Sequence, residues 1–180
     1  MSLSISKRPC ELGRHLNGRL EFHGEDNVGA VDFAIKKVML KSDEVDELLG
    51  AGAYARLFVT EGNPIEPFFR GTGPIVLDRK FESSSLTLEL DDQKLKLANG
   101  KLARITLIPR TGGICEMSLQ FQVNPDPEQQ AMIWKHMGEE EVNASIRFGR
   151  ESVKAAKDQP ELPLTHDNGG TPEAPAPVVN

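Results

Sequence analysis

The sequence predicts a mainly β fold of about eight strands, either a β-sandwich or a partly open barrel, with two short α-helices. Apolar residues alternate with polar ones in several stretches, as from Met117 to Val123, which is typical of a sheet with one solvated face. Turn-forming residues separate these stretches, and the chain contains 16 Gly and 12 Pro. Beyond Arg150 the alternation ends, which predicts a disordered C-terminal tail.

The chain of 180 residues is long enough for one domain with appendages. We expect a loose, polar N-terminal arm in residues 1–14 and a single β-rich domain in residues 15–150. Residues 151–180, rich in Pro, Gly and acidic side chains, are expected to form the disordered tail.

The β-rich domain opens with a predicted hairpin. Its first strand contains Leu20 and Phe22, and a turn-rich segment leads to the second strand. The apolar phase of the second strand shifts after Ile35, which predicts a β-bulge near Lys36 and Lys37.

A short helix is predicted to begin at Ser42, whose hydroxyl can cap free backbone N–H groups. Gly50 and Gly52 end this helix, and residues 53–60 are predicted to form a strand.

Leucine-rich strands follow, joined by turns. Asn99-Gly100 predicts a two-residue hairpin turn, because a type I′ turn needs positive φ at both positions. The segment PRTGG at residues 109–113 predicts a further turn.

The second helix is predicted to be capped by Asn124, with Pro125 at its first position. Gly138 can end this helix in a left-handed conformation. A last alternating strand from Val142 to Phe148 completes the domain.

The net charge of −6 argues against general binding to duplex DNA, which usually needs a basic face. The two cysteines, Cys10 and Cys115, form no disulfide framework and fit a reducing compartment. We find no apolar run long enough to span a membrane and no signal-peptide core, so a cytoplasmic protein is expected.

No sequence motif predicts catalysis. His23, Glu25 and Asp26 gather three possible metal ligands, but the run has the composition of a hairpin turn, and a metal would need a further ligand from elsewhere. Asp91-Asp92 is expected to be a solvated turn, and His136 a partly buried core residue. We therefore predict no enzyme activity, no catalytic residue, no metal and no cofactor.

The loop around Phe68, Phe69 and Arg70 is the first candidate for binding. Two adjacent phenylalanines in a loop rich in Pro and Gly do not both enter one core easily, and an exposed aromatic beside Arg is typical of an interface anchor. The alternative is a loop that folds back as a lid on the core.

A basic strand face is the second candidate. Such a face can hold single-stranded nucleic acid where aromatic residues are interleaved with the basic ones, but none lies between Lys94 and Arg110. A solvated face whose lysines deter aggregation is the alternative. The residues concerned are Lys94, Lys96, Lys101 and Arg104.

Two segments, LNGRLEFHGEDNVGAVDFAIKKVML and FQVNPDPEQQAMIWKHMGEEEVNASIRF, together resemble a group of small proteins carried by bacteriophages and prophages. The resemblance covers roughly residues 16–149. It implies a phage-encoded protein in the cytoplasm of the host cell, and it assigns no activity and no site residue.

Three functions from different classes remain open. The preferred one is a non-enzymatic binding protein that contacts a protein of replication, recombination or host defence. The alternatives are a single-stranded nucleic-acid-binding protein with an acidic tail, and a structural or assembly component of the virion. The sequence leaves the oligomeric state and the identity of the partner open.

Overall fold

The structure is a computed structural model that describes residues 3–23, 26–59, 61, 64–68, 73–91, 93–139 and 141–152, with the backbone alone for residues 20–23 and 26–28. Within these residues the chain is mainly β, as predicted, with ten strands and three helices. The strands are Ser4–His23 (β1), Asp26–Leu40 (β2), Phe58–Val59 (β3), Glu66–Pro67 (β4), Ile75–Leu77 (β5), Phe81–Leu90 (β6), Gln93–Arg110 (β7), Ile114–Val123 (β8), Val142–Arg147 (β9) and Arg150–Glu151 (β10). The helices are Ser42–Leu49 (α1), Ala53–Leu57 (α2) and Pro127–Lys135 (α3).

Six strands form a closed antiparallel ring. Its order is β6, β9, β1, β2, β8 and β7, and the pairing of β7 with β6 closes it. The short strand β5 pairs with the second half of β7, and β10 pairs with the start of β6. Of the two predicted architectures the chain therefore adopts the barrel, and closure pairs the strands that an open sheet would leave as edges.

Four non-glycine residues with positive φ lie where the strands bend. Each coincides with a break in register, at which one strand contains extra residues and its direction changes. The predicted bulge at Lys36-Lys37 is thereby confirmed. The residues are Lys7 (φ 43°), Lys37 (φ 58°), Ser83 (φ 55°) and Arg104 (φ 49°).

The interior of the ring is filled by apolar side chains from alternate positions of the strands. Phe33 and Phe121 meet edge to face with ring centroids 5.9 Å apart, and Phe81 and Phe148 meet in the same way at 5.1 Å. Helix α1 adds Val45 and Leu48 to this core, and α3 adds the fully buried Ile133.

The prediction of a loose arm is wrong for residues 3–14, the part of that segment which the structure describes. Strand β1 begins at Ser4, which pairs with Arg147 of β9, and both Ile5 and Cys10 are buried. The bulge at Lys7 moves the buried positions from odd to even residue numbers, so the segment shows no continuous alternation in the sequence.

The predicted turn at Asn99-Gly100 is also wrong, because both residues lie inside β7. The hairpin turn comes earlier, where Leu90 pairs with Gln93. Asn99 does have positive φ, at 57°. A Cβ on Gly100 would lie 2.3 Å from Cζ of Phe121, so glycine allows the backbone to approach that ring.

Helix boundaries differ from the prediction at two places. Residues predicted as a strand form α2, whose Tyr54 backbone N–H donates to Asp46 Oδ1 of α1 at 2.7 Å. Helix α3 begins two residues later than expected, because Asp126 caps it and exchanges hydrogen bonds with Gln129. Gly138 has φ 86°, as predicted for the end of this helix.

The last described residues remain attached to the ring. In the segment predicted as a tail, Glu151 pairs with Phe81, and the Ser152 backbone N–H donates to the Lys80 carbonyl at 2.8 Å. Residues 153–180 lie outside the described part of the chain.

Candidate interaction surface

The groups most suited to covalent or metal chemistry are not assembled in the described part of the chain. No cluster of three or more His, Cys, Asp and Glu side chains there could hold a metal ion. The side chains of His23, Glu25 and Asp26, which formed the candidate metal cluster, lie outside the described residues.

The remaining reactive side chains have structural surroundings. His136 is buried at the end of α3, with Nδ1 2.8 Å from Glu139 Oε1. Burial raises the pKa of the Cys10 thiol to about 12, and burial together with the charge of Glu116 raises that of Cys115 to about 11. Because the thiolate is the nucleophile, both cysteines are poor nucleophiles at neutral pH.

Phe68 is the described member of the predicted aromatic anchor. Its side chain is 58% exposed, directly after β4. Phe69 and Arg70 lie outside the described residues. Of the two interpretations of this loop, the exposed anchor fits Phe68 better than the core lid.

Backbone hydrogen bonds hold the segment that presents Phe68. The Phe68 N–H donates to the Leu57 carbonyl at 2.8 Å, beside the two-residue pairing of β3 with β4. The Gly112 N–H donates to the Ile65 carbonyl at 2.7 Å, in the predicted turn between β7 and β8. The segment is thus tied both to α2 and to the ring.

The turn between β7 and β8 also forms a hydrogen bond with α2. The Tyr54 hydroxyl donates to the Gly113 carbonyl at 2.9 Å, and the Tyr54 ring packs against Phe58 with centroids 4.7 Å apart. Gly113 has φ 72°, and a Cβ there would lie 2.4 Å from the Tyr54 hydroxyl, so this contact depends on glycine. The exposed surface around Phe68 therefore has a rigid base.

A shallow cleft of about 400 Å³ adjoins Phe68. Val59 adds a second exposed apolar side chain, and the two prolines have no N–H groups that need a partner. Glu61 is exposed at its rim, and Glu66 accepts a hydrogen bond from the Thr111 hydroxyl at 3.1 Å. The lining residues are Val59, Glu61, Pro64, Glu66, Pro67 and Phe68. We call this set the Phe68 surface.

The sequence indicated Phe68 but not the rest of this surface. Val59 and Glu66 are adjacent only because β3 and β4 pair, and neither has a distinctive sequence context. The pairing of two-residue strands produces no detectable alternation, so the sequence contains little that could have revealed these neighbours.

The four basic residues of the second candidate all lie exposed on β7 and are spread along its length. At the usual rise of about 3.3 Å per residue, Lys94 and Arg104 are about 30 Å apart along the strand. Lys94 Nζ is 3.1 Å from Glu89 Oε1, and Lys101 Nζ is 3.5 Å from Glu82 Oε2. Neither Lys96 nor Arg104 has an ion pair with another described residue.

Comparisons of the chain with protein-family models, with curated proteins and with solved structures find no match. Among the described residues, no helix has the length and apolar character needed to cross a membrane.

Proposed function

We propose that this chain is a non-enzymatic binding protein whose protein partner docks on the Phe68 surface. The observation that supports this most directly is the exposure of Phe68 on a segment fixed by hydrogen bonds at both sides. An aromatic side chain on a backbone that is held before binding loses less conformational freedom on association than one on a free backbone, which favours affinity.

The chemistry of the surface specifies the partner's side of the contact. Phe68 and Val59 require an apolar side chain that fills the shallow cleft between them. Glu61 at the rim is complementary to a Lys or Arg of the partner. We therefore expect the partner to present an apolar anchor flanked by at least one basic residue.

The resemblance to small bacteriophage proteins adds a biological setting to the proposal. In that setting the protein is made in the cytoplasm of an infected cell, and its partner belongs to the machinery of replication, recombination or host defence. The buried thiols suit a protein that acts by its shape.

The proposal is tested with tagged full-length protein in extracts of host cells. We expect one protein to be captured in stoichiometric amount, and then to bind again when purified. Phe68→Ala should weaken this binding at least about tenfold, since truncation of an anchor residue costs about 2 kcal/mol or more. Zero-length carbodiimide coupling should join Glu61 to a lysine of the partner.

Trp134→Ala is the matched control. Trp134 is 57% exposed on α3, nearly the same fraction as Phe68, and lies on another element. Capture that survives Phe68→Ala, or that is lost on Trp134→Ala alone, would overturn the assignment of the Phe68 surface.

A further inference from the structure

A second, larger cleft lies on the outer surface of the ring. It is formed by the strand faces that point away from the core. Its floor consists of small and amide side chains on three adjacent strands. In β2 and β8, Ala34 pairs with Gln120, and Gln120 pairs in turn with Ala103 of β7. Two residues further along β8, Ser118 pairs with Thr106 of β7. Short side chains in these neighbouring rows leave a depression on a face where longer polar side chains are usual.

Two clefts meet at this floor. The larger has a volume of about 680 Å³ and the smaller about 280 Å³, and both are lined by Asp32, Arg104 and Gln120. One wall is formed by residues 15–19 of β1, and the other by residues 76–80 around β5. At the usual spacing of about 4.8 Å between strands, the floor is about 10 to 15 Å wide.

The lining of these clefts is basic, although the whole chain is acidic. Five basic side chains face two carboxylates, those of Asp32 and Asp78. One of the five, Arg79, is paired with Glu151 outside the cleft. The five are Arg19, Lys36, Arg79, Lys80 and Arg104.

Arg104 is the central basic residue. It lies at the bulge of β7 with φ 49° and lines both clefts. Its side chain has no hydrogen bond or ion pair with another residue in the part of the chain that the structure describes. A non-glycine residue with positive φ is uncommon, and the bulge redirects its side chain relative to a regular strand.

Asp32 adds a hydrogen-bond acceptor to the same floor. Its Oδ2 is 3.5 Å from Nη1 of Arg19, and its side chain is only 14% exposed. Its Oδ1 is covered and has no hydrogen-bond donor among the described residues. Because Oδ1 is covered, a ligand N–H donor reaches it only after the Asp32 side chain turns toward the cleft. A new hydrogen bond there would offset the cost of an oxygen that lacks a donor.

We propose that this cleft binds the phosphate and base of a nucleotide unit, with the phosphate at Arg104 and Lys80 and a base N–H group at Asp32. A simple anion satisfies the basic walls but is repelled by Asp32. A nucleotide provides both an anionic phosphate for the basic residues and N–H donors for the carboxylate and for the amide oxygens of Gln120 and Gln122.

The unit has two possible sources, a free mononucleotide or a single strand of nucleic acid. Among the described lining residues the exposed aromatic ring is the small imidazole of His15, since Phe33 is buried in the core. Ionic contacts therefore dominate, and the affinity should fall steeply with salt. This site is separate from the Phe68 surface and does not depend on it.

The test is fluorescence anisotropy of full-length protein with a labelled, mixed-sequence single-stranded oligonucleotide over a range of NaCl concentrations. Arg104→Asn removes the charge and keeps a residue that tolerates positive φ. We expect this change to weaken binding about tenfold and to reduce the slope of log affinity against log salt by about 0.7, the value for one lost phosphate contact on a single strand. Competition by the unlabelled mononucleotides identifies the source: full competition assigns a free nucleotide, and none assigns the strand.

Lys94→Asn is the matched control, because it removes the same charge from the same strand at a residue paired with Glu89. An equal loss in both variants would show a general charge effect and overturn the site, as would the absence of binding at low salt. If Arg104→Asn fails to fold, as judged by circular dichroism, Lys80→Gln tests the same phosphate contact.

Asp32→Asn separates a nucleotide from a simple anion. Loss of the carboxylate makes the cleft more positive, so a bare phosphate should bind more tightly. A base N–H that donates to Asp32 loses its acceptor, and we expect the oligonucleotide to bind several-fold more weakly. Tighter oligonucleotide binding to this variant would overturn the nucleotide assignment.

Discussion

The two halves of β7 have similar basic residues in different surroundings. In the first half, which pairs with β6, Lys94 lies against Glu89 and Lys101 against Glu82. In the second half, which pairs with β8, Arg104 lies over a floor of small and amide side chains. The side chain opposite on the neighbouring strand thus decides whether a basic residue is neutralised, since Lys94 has Glu89 opposite it whereas Lys96 has Thr87. A count of charges along β7 does not distinguish the two cases.

The largest loss of stability is expected at the point where the two halves of β7 join. Leu102 is fully buried there and pairs with Phe81 on one side and Phe121 on the other. Leu102→Ala should lower the free energy of unfolding by about 3 kcal/mol, because it leaves a cavity between both pairings. Urea unfolding followed by far-UV circular dichroism measures this loss.

Val76→Ala is the control for Leu102→Ala. Val76 is 67% exposed on β5, so its truncation should change the free energy of unfolding by less than about 0.5 kcal/mol. Equal effects of the two substitutions would show that the halves of β7 do not share one core.

The second prediction concerns the close approach at Gly100. Gly100→Ala places a Cβ against the Phe121 ring and the Gln122 carbonyl, so the ring must move or the strands must separate. We expect a loss of about 1–3 kcal/mol in the free energy of unfolding. Gly18→Ala is the comparison, since no atom lies within 4 Å of its added Cβ. A Gly100 variant as stable as the Gly18 variant would contradict the proposed packing.

Gly100 also shows why part of the fold was not predictable from sequence. Asn99-Gly100 has the local chemistry of a turn, but the contact that selects its conformation is with Phe121, and no local pattern reveals that contact. Where one face of a strand is buried and its register is regular, as from Ile114 to Val123, alternation predicted the strand correctly. The bulge at Lys37 was predictable for the same reason, because the shift in phase occurs between long apolar runs.

The two candidate sites also differ in how far the sequence reveals them. Phe68 was predictable as a candidate because adjacent phenylalanines in a loop rich in Pro and Gly are unusual, and this is visible in the sequence itself. The cleft around Arg104 was not, because Ala34, Ala103 and Gln120 become neighbours only through strand pairing. Small residues and amides at single positions have no distinctive pattern, so their combination is visible only once the ring has closed.

The smallest effect is expected in the first half of β7, where Lys94 lies against Glu89. Hydrogen bonds from Lys7 first, and then from Lys94, hold the pKa of the Glu89 carboxyl below its ordinary value of 4.5. A lowered pKa in the folded state means that the carboxylate stabilises the fold above the ordinary value, and that this contribution is lost as the pH falls through the lowered value. The effect is small because the groups are solvent-exposed.

Glu89→Gln should therefore lower the urea midpoint slightly near neutral pH and leave it unchanged well below pH 4.5. Lys7→Gln combined with Lys94→Gln removes both donors and serves as the control, because Glu89→Gln added to this variant should show no further dependence on pH. An equal difference between wild type and Glu89→Gln at both pH values would mean that the two lysines do not act on this carboxylate.

The pairing of Ser4 with Arg147 has a consequence for synthesis of the protein. The ring closes only when β9 meets β1, so a nascent chain remains open at that seam until nearly all the described residues have been made. Contacts between segments so distant in sequence also slow folding, because loop closure must precede the stabilising contacts. Until closure, the apolar side chains of β1 lack their final neighbours, and the time spent in this state sets the risk of aggregation during expression.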